Sequence, residues 1–385
     1  MVITLTSRTP EIDKRIYGPM GIELLPPLIP APSVFSKNKD KILGSIENLI
    51  AFSFKRDLVR EIQRSDLIIS SGGGYFWSNR RLFPGPMFFQ NYFHIKLACI
   101  LKRPLIFFPQ SLGPFQNSVA PRVLRDVLAD DNVLKIFARE RASFDLINNL
   151  LGQDGIHEKV KICPDLAFYL NKGDHRFVSS GDTNLPRPIV AVTLREWDFP
   201  GVKSKKNKAK RKKAYLSAFK DVCQNIYRMH EGSIIIFAQA RGPGDFENDI
   251  YISRSLFEEL KGSIPDKHLL FIDLPATVSP YRIIDILSQV DLIIATRFHS
   301  AIFALISGVP AISVEYQPKS KGVMELLGLE HYCVSIDKID ADHILHLVED
   351  IFSKSPEISG KILEKVRNIR KTIEEELESS IKSFL

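Results

Sequence analysis

The sequence predicts an α/β protein of two domains with mostly parallel sheets. Three observations carry this. Short, continuously apolar runs at 66–70, 104–108 and 291–295 read as strands buried on both faces. They alternate with longer segments of helical spacing, the rhythm of parallel strands joined by crossover helices. The length of 385 residues is about that of two ordinary domains.

In chain order, residues 2–5 form a short strand, and 19–36, rich in proline and apolar side chains, an irregular connection. A buried strand at 66–70 ends in Gly72-Gly73-Gly74. A helix over 87–101, strands at 104–108 and 136–138, a helix over 141–151 and a strand at 160–163, stopped by Pro164, follow. Residues 171–188 carry Gly, Ser, Asp, Asn and Pro with few apolar side chains and read as a linker. The second half repeats the rhythm, with strands at 189–194, 233–237, 269–272, 291–295 and 311–314. Its helices fall over 210–230, 247–261, 280–288, 299–307 and 320–327, and a charged helical pattern runs from about 357 to the end. The expected division is 1–175, 186–356 and a C-terminal helix over 357–385. Two such Rossmann-like halves, with a cleft expected between them, resemble the GT-B architecture of many sugar-modifying enzymes.

Charged residues at 25% and apolar residues at 44% are typical of a soluble globular chain. The net charge of +7 favours anionic partners, such as a phosphorylated small molecule or an acidic membrane surface. Nucleic acid is argued against: no recognised motif is present, and the basic run at 203–213 has no interleaved aromatic residues. That run reads first as a solvated face and second as a peripheral contact with anionic lipid headgroups. The four cysteines lie far apart with no CxxC pair, so neither a disulfide framework nor a zinc site is expected, and a reducing, cytoplasmic compartment is. No metal signature of the HExxH or Asp-x-Asp type occurs, and no apolar window is long enough to span a bilayer.

The strongest site signal is the strand 291–295 followed by Thr296-Arg297-Phe298-His299-Ser300, a helix, and Gly308-Val309-Pro310. Arg297 and His299 fall at a strand's carboxyl end and in the first turn of a helix, where open α/β sheets bind ligands. A guanidinium there holds phosphate or carboxylate, and an imidazole supplies a proton near neutral pH. The competing reading pairs Arg297 with a nearby acid and leaves His299 as a helix-end residue. Tyr316-Gln317-Pro318-Lys319 follows the next strand, with Lys319 as a phosphate contact or a solvated turn lysine. Arg195 and Arg241 also follow strands and point to the same edge. The run Gly72-Gly73-Gly74 allows close backbone approach to a ligand or a tight structural turn, without the Lys-Ser/Thr ending of a P-loop.

An ordered series of such pieces resembles the polysaccharide pyruvyl transferase family. It comprises Asp66 to Gly74, Pro109-Gln110-Ser111-Leu112-Gly113-Pro114, Ala138-Arg139-Glu140-Arg141-Ala142-Ser143 and Cys163-Pro164-Asp165. It continues through Thr193-Leu194-Arg195, Thr296-Arg297-Phe298-His299, Gly308-Val309-Pro310 and Tyr316-Gln317-Pro318-Lys319. The resemblance implies a GT-B-like fold, phosphoenolpyruvate as co-substrate with no other cofactor, and a sugar or oligosaccharide acceptor, lipid-linked or not. By position, Arg297 would hold the donor's phosphate or carboxylate and His299 would be the general acid. Arg195, Arg241, Lys319, Ser300 and Tyr316 would complete the donor site, and Gly72, Gly73, Gly74 and Gln110 would serve the acceptor or backbone loop. Asp165 and Glu196 are candidates for the base. The chain departs from the family pattern at its start, where Met1 leads into what reads as the second strand and the first strand and its loop are expected to be missing. The alternatives are a GT-B glycosyltransferase using a nucleotide sugar and a non-catalytic binding protein.

Overall fold

The computed structural model describes residues 2–7, 10–28, 56–78, 80–152, 158–170, 184–242, 248–275, 277–316, 318–382 and 384. The chain divides into two compact units, Met1–Leu166 with Thr372–Leu385, and Ala167–Lys371. Most of the expected linker, 171–183, lies outside the described residues.

The first unit opens with β1 (Thr4–Thr6) and β2 (Glu23–Leu25), a parallel pair connected through α1 (Pro10–Tyr17). β2 falls inside a segment expected to be irregular. α2 (Arg56–Arg64), β3 (Ile68–Ser70), β4 (Gly73–Ser78), α3 (Pro86–Ile100) and β5 (Leu105–Phe115) follow. α4 (Val119–Leu128), β6 (Val133–Ala138), α5 (Arg141–Leu151) and β7 (Val160–Ile162) complete the sheet, ordered β3-β5-β6-β7 with β4 also on β5. Every pairing is parallel. The core is continuous across the sheet from Phe88 and Phe107 to Ile136 and Val160, all buried. β5 runs seven residues past the expected 108, because Pro109 sits within a run whose residues 105–107 and 110–112 are buried on both sides of it. The glycine run is likewise not an open loop: Gly73 and Gly74 begin β4.

The second unit contains β8 (Ile189–Thr193), α6 (Lys205–His230), β9 (Ser233–Ala238), α7 (Ile250–Leu260), β10 (Leu269–Asp273), α8 (Pro280–Leu287) and β11 (Leu292–Ala295). α9 (Phe298–Leu305), β12 (Ala311–Glu315), α10 (Pro318–Leu327), β13 (Cys333–Ser335) and α11 (Ala341–Ile381) follow, the last passing into the first unit from Thr372. The sheet is wholly parallel in the order β10-β9-β8-β11-β12-β13. Renumbered within the unit this is 3-2-1-4-5-6, the doubly wound order whose ligand crevice opens between the first and fourth strands, here β8 and β11.

Two helix boundaries differ from expectation for one reason. α6 begins at Lys205, so the basic run is mostly helical, its charges exposed while Tyr215, Phe219 and Val222 bury the opposite face. α11 passes through Pro356 instead of starting after it. Its buried stripe of Ile344, Val348, Ile351, Ile358, Ile362, Val366, Ile369 and Ile373 keeps helical spacing on both sides of the proline. Burial of that stripe outweighs the one lost N–H, which a proline otherwise turns into a helix stop.

Candidate active site

The carboxyl ends of β9, β8, β11 and β12 are adjacent and point one way, and the sequence-predicted residues collect there. Arg195 follows β8, Gln239 and Arg241 follow β9, Arg297 to Ser300 follow β11, and Tyr316 follows β12. Arg195 and Arg297 flank the switch point itself.

Arg297 is the N-cap residue of α9, its backbone extended before the helix turns in. Its guanidinium grips Asp249 with two nitrogens: Nε donates to Oδ2 at 2.7 Å and Nη2 to Oδ1. Asp249 is fully buried, and its Oδ2 also accepts from the Ala240 N–H at 3.0 Å. Burial pushes the Asp249 carboxyl above the ordinary carboxylate range, and Arg297 pulls against it. The pairing with an acid that the sequence left open is therefore realised, and Nη1 is the corner of Arg297 not engaged by that carboxylate. Asp249 was missed by sequence reasoning. It precedes α7 at the usual cap position, but its side chain caps nothing and reaches across to Arg297 instead.

Arg195 differs. Its guanidinium lies 4.2 Å from the centre of the Tyr316 ring and 5.4 Å from that of Trp197, whose rings pack at 4.9 Å. Among the described residues it makes no salt bridge, and its buried Nε has no hydrogen-bond partner. Burial works against its proton; Tyr316 opposes this, the neighbouring Arg297 charge adds to it, and the Asp249 carboxylate opposes it in turn. A guanidinium stays protonated in a protein, so the consequence is a cation beside the switch point with no carboxylate in direct contact among the described residues. Tyr215, buried on α6, holds this corner: its hydroxyl accepts from the Arg195 N–H at 3.2 Å and donates to Thr296 Oγ1 at 3.0 Å.

His299 occupies the first turn of α9 and is exposed, edge-on to Phe298 and stacked on Phe303. Ser300, buried one residue on, donates to Gln239 Oε1. Arg241 pairs with Asp273 at the end of β10. Lys319 is in the first turn of α10, and its side chain lies outside the described residues. Glu196 is paired with Lys212.

The motifs of the first unit meet in a buried polar network. Gln110 is fully buried, and its Nε2 lies within 3.1 Å of Ser70 O, Ser70 Oγ and Ser71 O. Gly72 is pressed against the chain, since a side chain there would meet Pro109 O at 3.0 Å. Arg139 donates to Ser111 Oγ at 2.7 and 3.0 Å and to Asp165. Ser111 Oγ donates to Glu140 at 2.7 Å, and Ser143 joins Glu140 to the Leu112 N–H. Gln110 and these charged groups are thus enclosed, and Asp165 is held by Arg139 rather than presented as a base.

Comparison with known proteins follows the same lines. The family model described as polysaccharide pyruvyl transferase matches residues 20–318. The amylovoran biosynthesis protein AmsJ of Erwinia amylovora is 24% identical over 338 residues, covering 85% of this chain and 75% of that protein. Among solved structures, Alr3699/HepE of Anabaena in complex with UDP superposes with a TM-score of 0.52 at 14% identity, covering 98% of this chain and all of the other. A UDP-N-acetylglucosamine 2-epimerase gives 0.58 at 9% identity, covering 98% and 88%. The glycosyltransferase of kitacinnamycin gives 0.54 at 14%, covering 100% and 92%. At such identities the solved structures show the fold, which is GT-B-like, and the extent of the family match shows that this chain belongs to the polysaccharide pyruvyl transferase family.

Proposed function

We propose that the chain transfers the pyruvyl group of phosphoenolpyruvate onto two hydroxyls of one sugar in a polysaccharide or its precursor, forming a cyclic ketal. The observation that carries this is the pair of guanidiniums, Arg195 and Arg297, flanking the switch point of the second unit with His299 in the adjoining helical turn. A relative named for amylovoran biosynthesis supports a saccharide acceptor.

Phosphoenolpyruvate carries a phosphate and a carboxylate on one small carbon frame. Arg195, held on two rings without a direct ion pair, binds one anion, and the Arg297 nitrogen not engaged by Asp249 binds the other. His299 gives a proton to the methylene carbon, and the adjacent carbon becomes an oxocarbenium-like centre. One sugar hydroxyl adds there, and its proton restores the imidazole. A second hydroxyl of the same sugar then displaces phosphate, which leaves with that hydroxyl's proton, and closes the ketal.

The test is incubation with phosphoenolpyruvate and a panel of hexosides, reading phosphate release and a product heavier by one pyruvyl ketal. His299→Ala is expected to abolish transfer while phosphoenolpyruvate still binds, and Arg195→Ala to weaken donor binding. Full turnover by the histidine variant removes His299 from the mechanism. Turnover of a nucleotide sugar in place of phosphoenolpyruvate replaces the reading with a glycosyl transfer.

A further inference from the structure

The first unit carries a cavity that none of the donor chemistry uses. It encloses about 180 Å³ and opens at the carboxyl end of β4. One wall is Tyr75, Trp77, Ser78 and Arg80; the other is Gly85 to Phe88, at the start of α3. Ligand sites for drug-sized molecules run to about 300–1,000 Å³, so this one suits a single six-membered sugar ring better than a nucleoside diphosphate.

The wall is built rather than incidental. Tyr75 is 37% exposed, and its hydroxyl is tied to Gly72 O at 2.8 Å. Gly73, at φ +145°, makes room for that ring, since a side chain there would lie 2.5 Å from it. Asn117 holds the far end. Its amide nitrogen donates to Ser78 Oγ and to Arg80 O, each at 2.9 Å, and its oxygen accepts from the Val119 and Ala120 N–H groups at the start of α4. The Arg80 side chain lies over Gly85, where a side chain would come within 3.6 Å of its Nε.

These groups match one ligand chemistry. A pyranose has an apolar face of C–H bonds and a rim of hydroxyls. C–H bonds pack on the electron-rich face of an aromatic ring, here Trp77 or Tyr75. A guanidinium and a serine hydroxyl supply donors for the rim, and the guanidinium also suits an acidic substituent on the ring. We propose that this cavity binds one hexopyranose ring of the acceptor saccharide, with Trp77 as its stacking platform and Arg80 as its polar contact. The assignment of the ring to an acceptor rests on the transferase reading above; the binding of the ring does not.

The chain has two tryptophans, Trp77 at this cavity and Trp197 beside Arg195. They separate the two readings. In the Trp197→Phe protein, titration with methyl glucopyranoside, galactopyranoside, mannopyranoside and the corresponding uronides is expected to shift or quench Trp77 emission saturably with at least one sugar. Arg80→Ala in that background is expected to weaken this tenfold or more. In the Trp77→Phe protein, phosphoenolpyruvate is expected to change Trp197 emission and the sugars are not. Calorimetric titration of the unsubstituted protein and of Arg80→Ala gives the same comparison without altering an indole. A Trp77 signal silent to every sugar, one that responds to UDP instead, or a sugar affinity unmoved by Arg80→Ala overturns the cavity assignment even where phosphoenolpyruvate binds. A sugar response at Trp77 with a silent Trp197 upholds the cavity and removes the donor reading.

Discussion

The Arg297–Asp249 pair takes two charges out of water, and its geometry compensates them with two guanidinium bonds and a backbone N–H. Removing one partner leaves the other uncompensated. Asp249→Ala is therefore expected to cost about 3–5 kcal/mol of stability, read by urea unfolding, and to weaken phosphoenolpyruvate binding by releasing Arg297. The acid dependence has a definite sign. Burial raises the Asp249 carboxyl in the native state, so the native chain binds this proton more readily than the unfolded one. Its contribution to stability is greatest below the unfolded carboxylate range and is lost as pH rises through the native value. The stability of the unsubstituted protein relative to Asp249→Asn should thus widen in its favour between neutrality and about pH 4. A gap that narrows on acidification would mean that pairing outweighs burial.

At the scale of elements, a parallel strand brings its carboxyl end to one edge and a glycine decides where the next helix stops. Gly308, at φ +79°, closes the turn that follows α9, and a side chain there would lie 2.9 Å from Leu363 Cγ. Gly308→Ala forces a left-handed conformation on a side chain and displaces the half-exposed Leu363, with an expected cost of about 1–2 kcal/mol, checked by thermal unfolding. The buried network between the middle of β5 and the end of β6 makes a similar demand. Arg139→Met leaves Glu140 and Asp165 enclosed without their cation, with an expected loss of about 3–5 kcal/mol in urea unfolding. Arg141→Ala, next but one in sequence but 71% exposed in its pair with Asp145, should change stability by no more than about 0.5 kcal/mol. Two arginines of one motif thus carry different weights, and only burial tells them apart.

Across the whole molecule, α11 belongs to both compact units: its residues to Lys371 count with the second and those from Thr372 with the first. Ile373 is fully buried, and Glu376 takes Lys161 of β7 at 2.7 and 2.9 Å. Ile373→Ala is expected to cost about 2–5 kcal/mol and to lower the unfolding of the first unit selectively, visible in calorimetry as a shift of one of two transitions. Among the described residues no helix is long and apolar enough to cross a membrane. The exposed basic face of α6 is held by local contacts, Lys208 with Asp198 and Lys212 with Glu196.

Most strands, most helices and the placing of Arg195, Arg241, Arg297 and His299 at strand ends were legible in the residues alone, because periodicity and turn chemistry are local; β2, β4 and β13 were not. The full length of β5 and α11 was not: proline reads as a stop, and only packing on a long apolar stripe overrides it. Nor was the partner of Arg297. Asp249 lies 48 residues earlier and looks like an ordinary helix cap, since the energy of a charge depends on what the fold encloses it with. The enclosure of Gln110 and Arg139, and the cavity at Trp77, have the same origin: neighbours in space drawn from segments far apart in the chain.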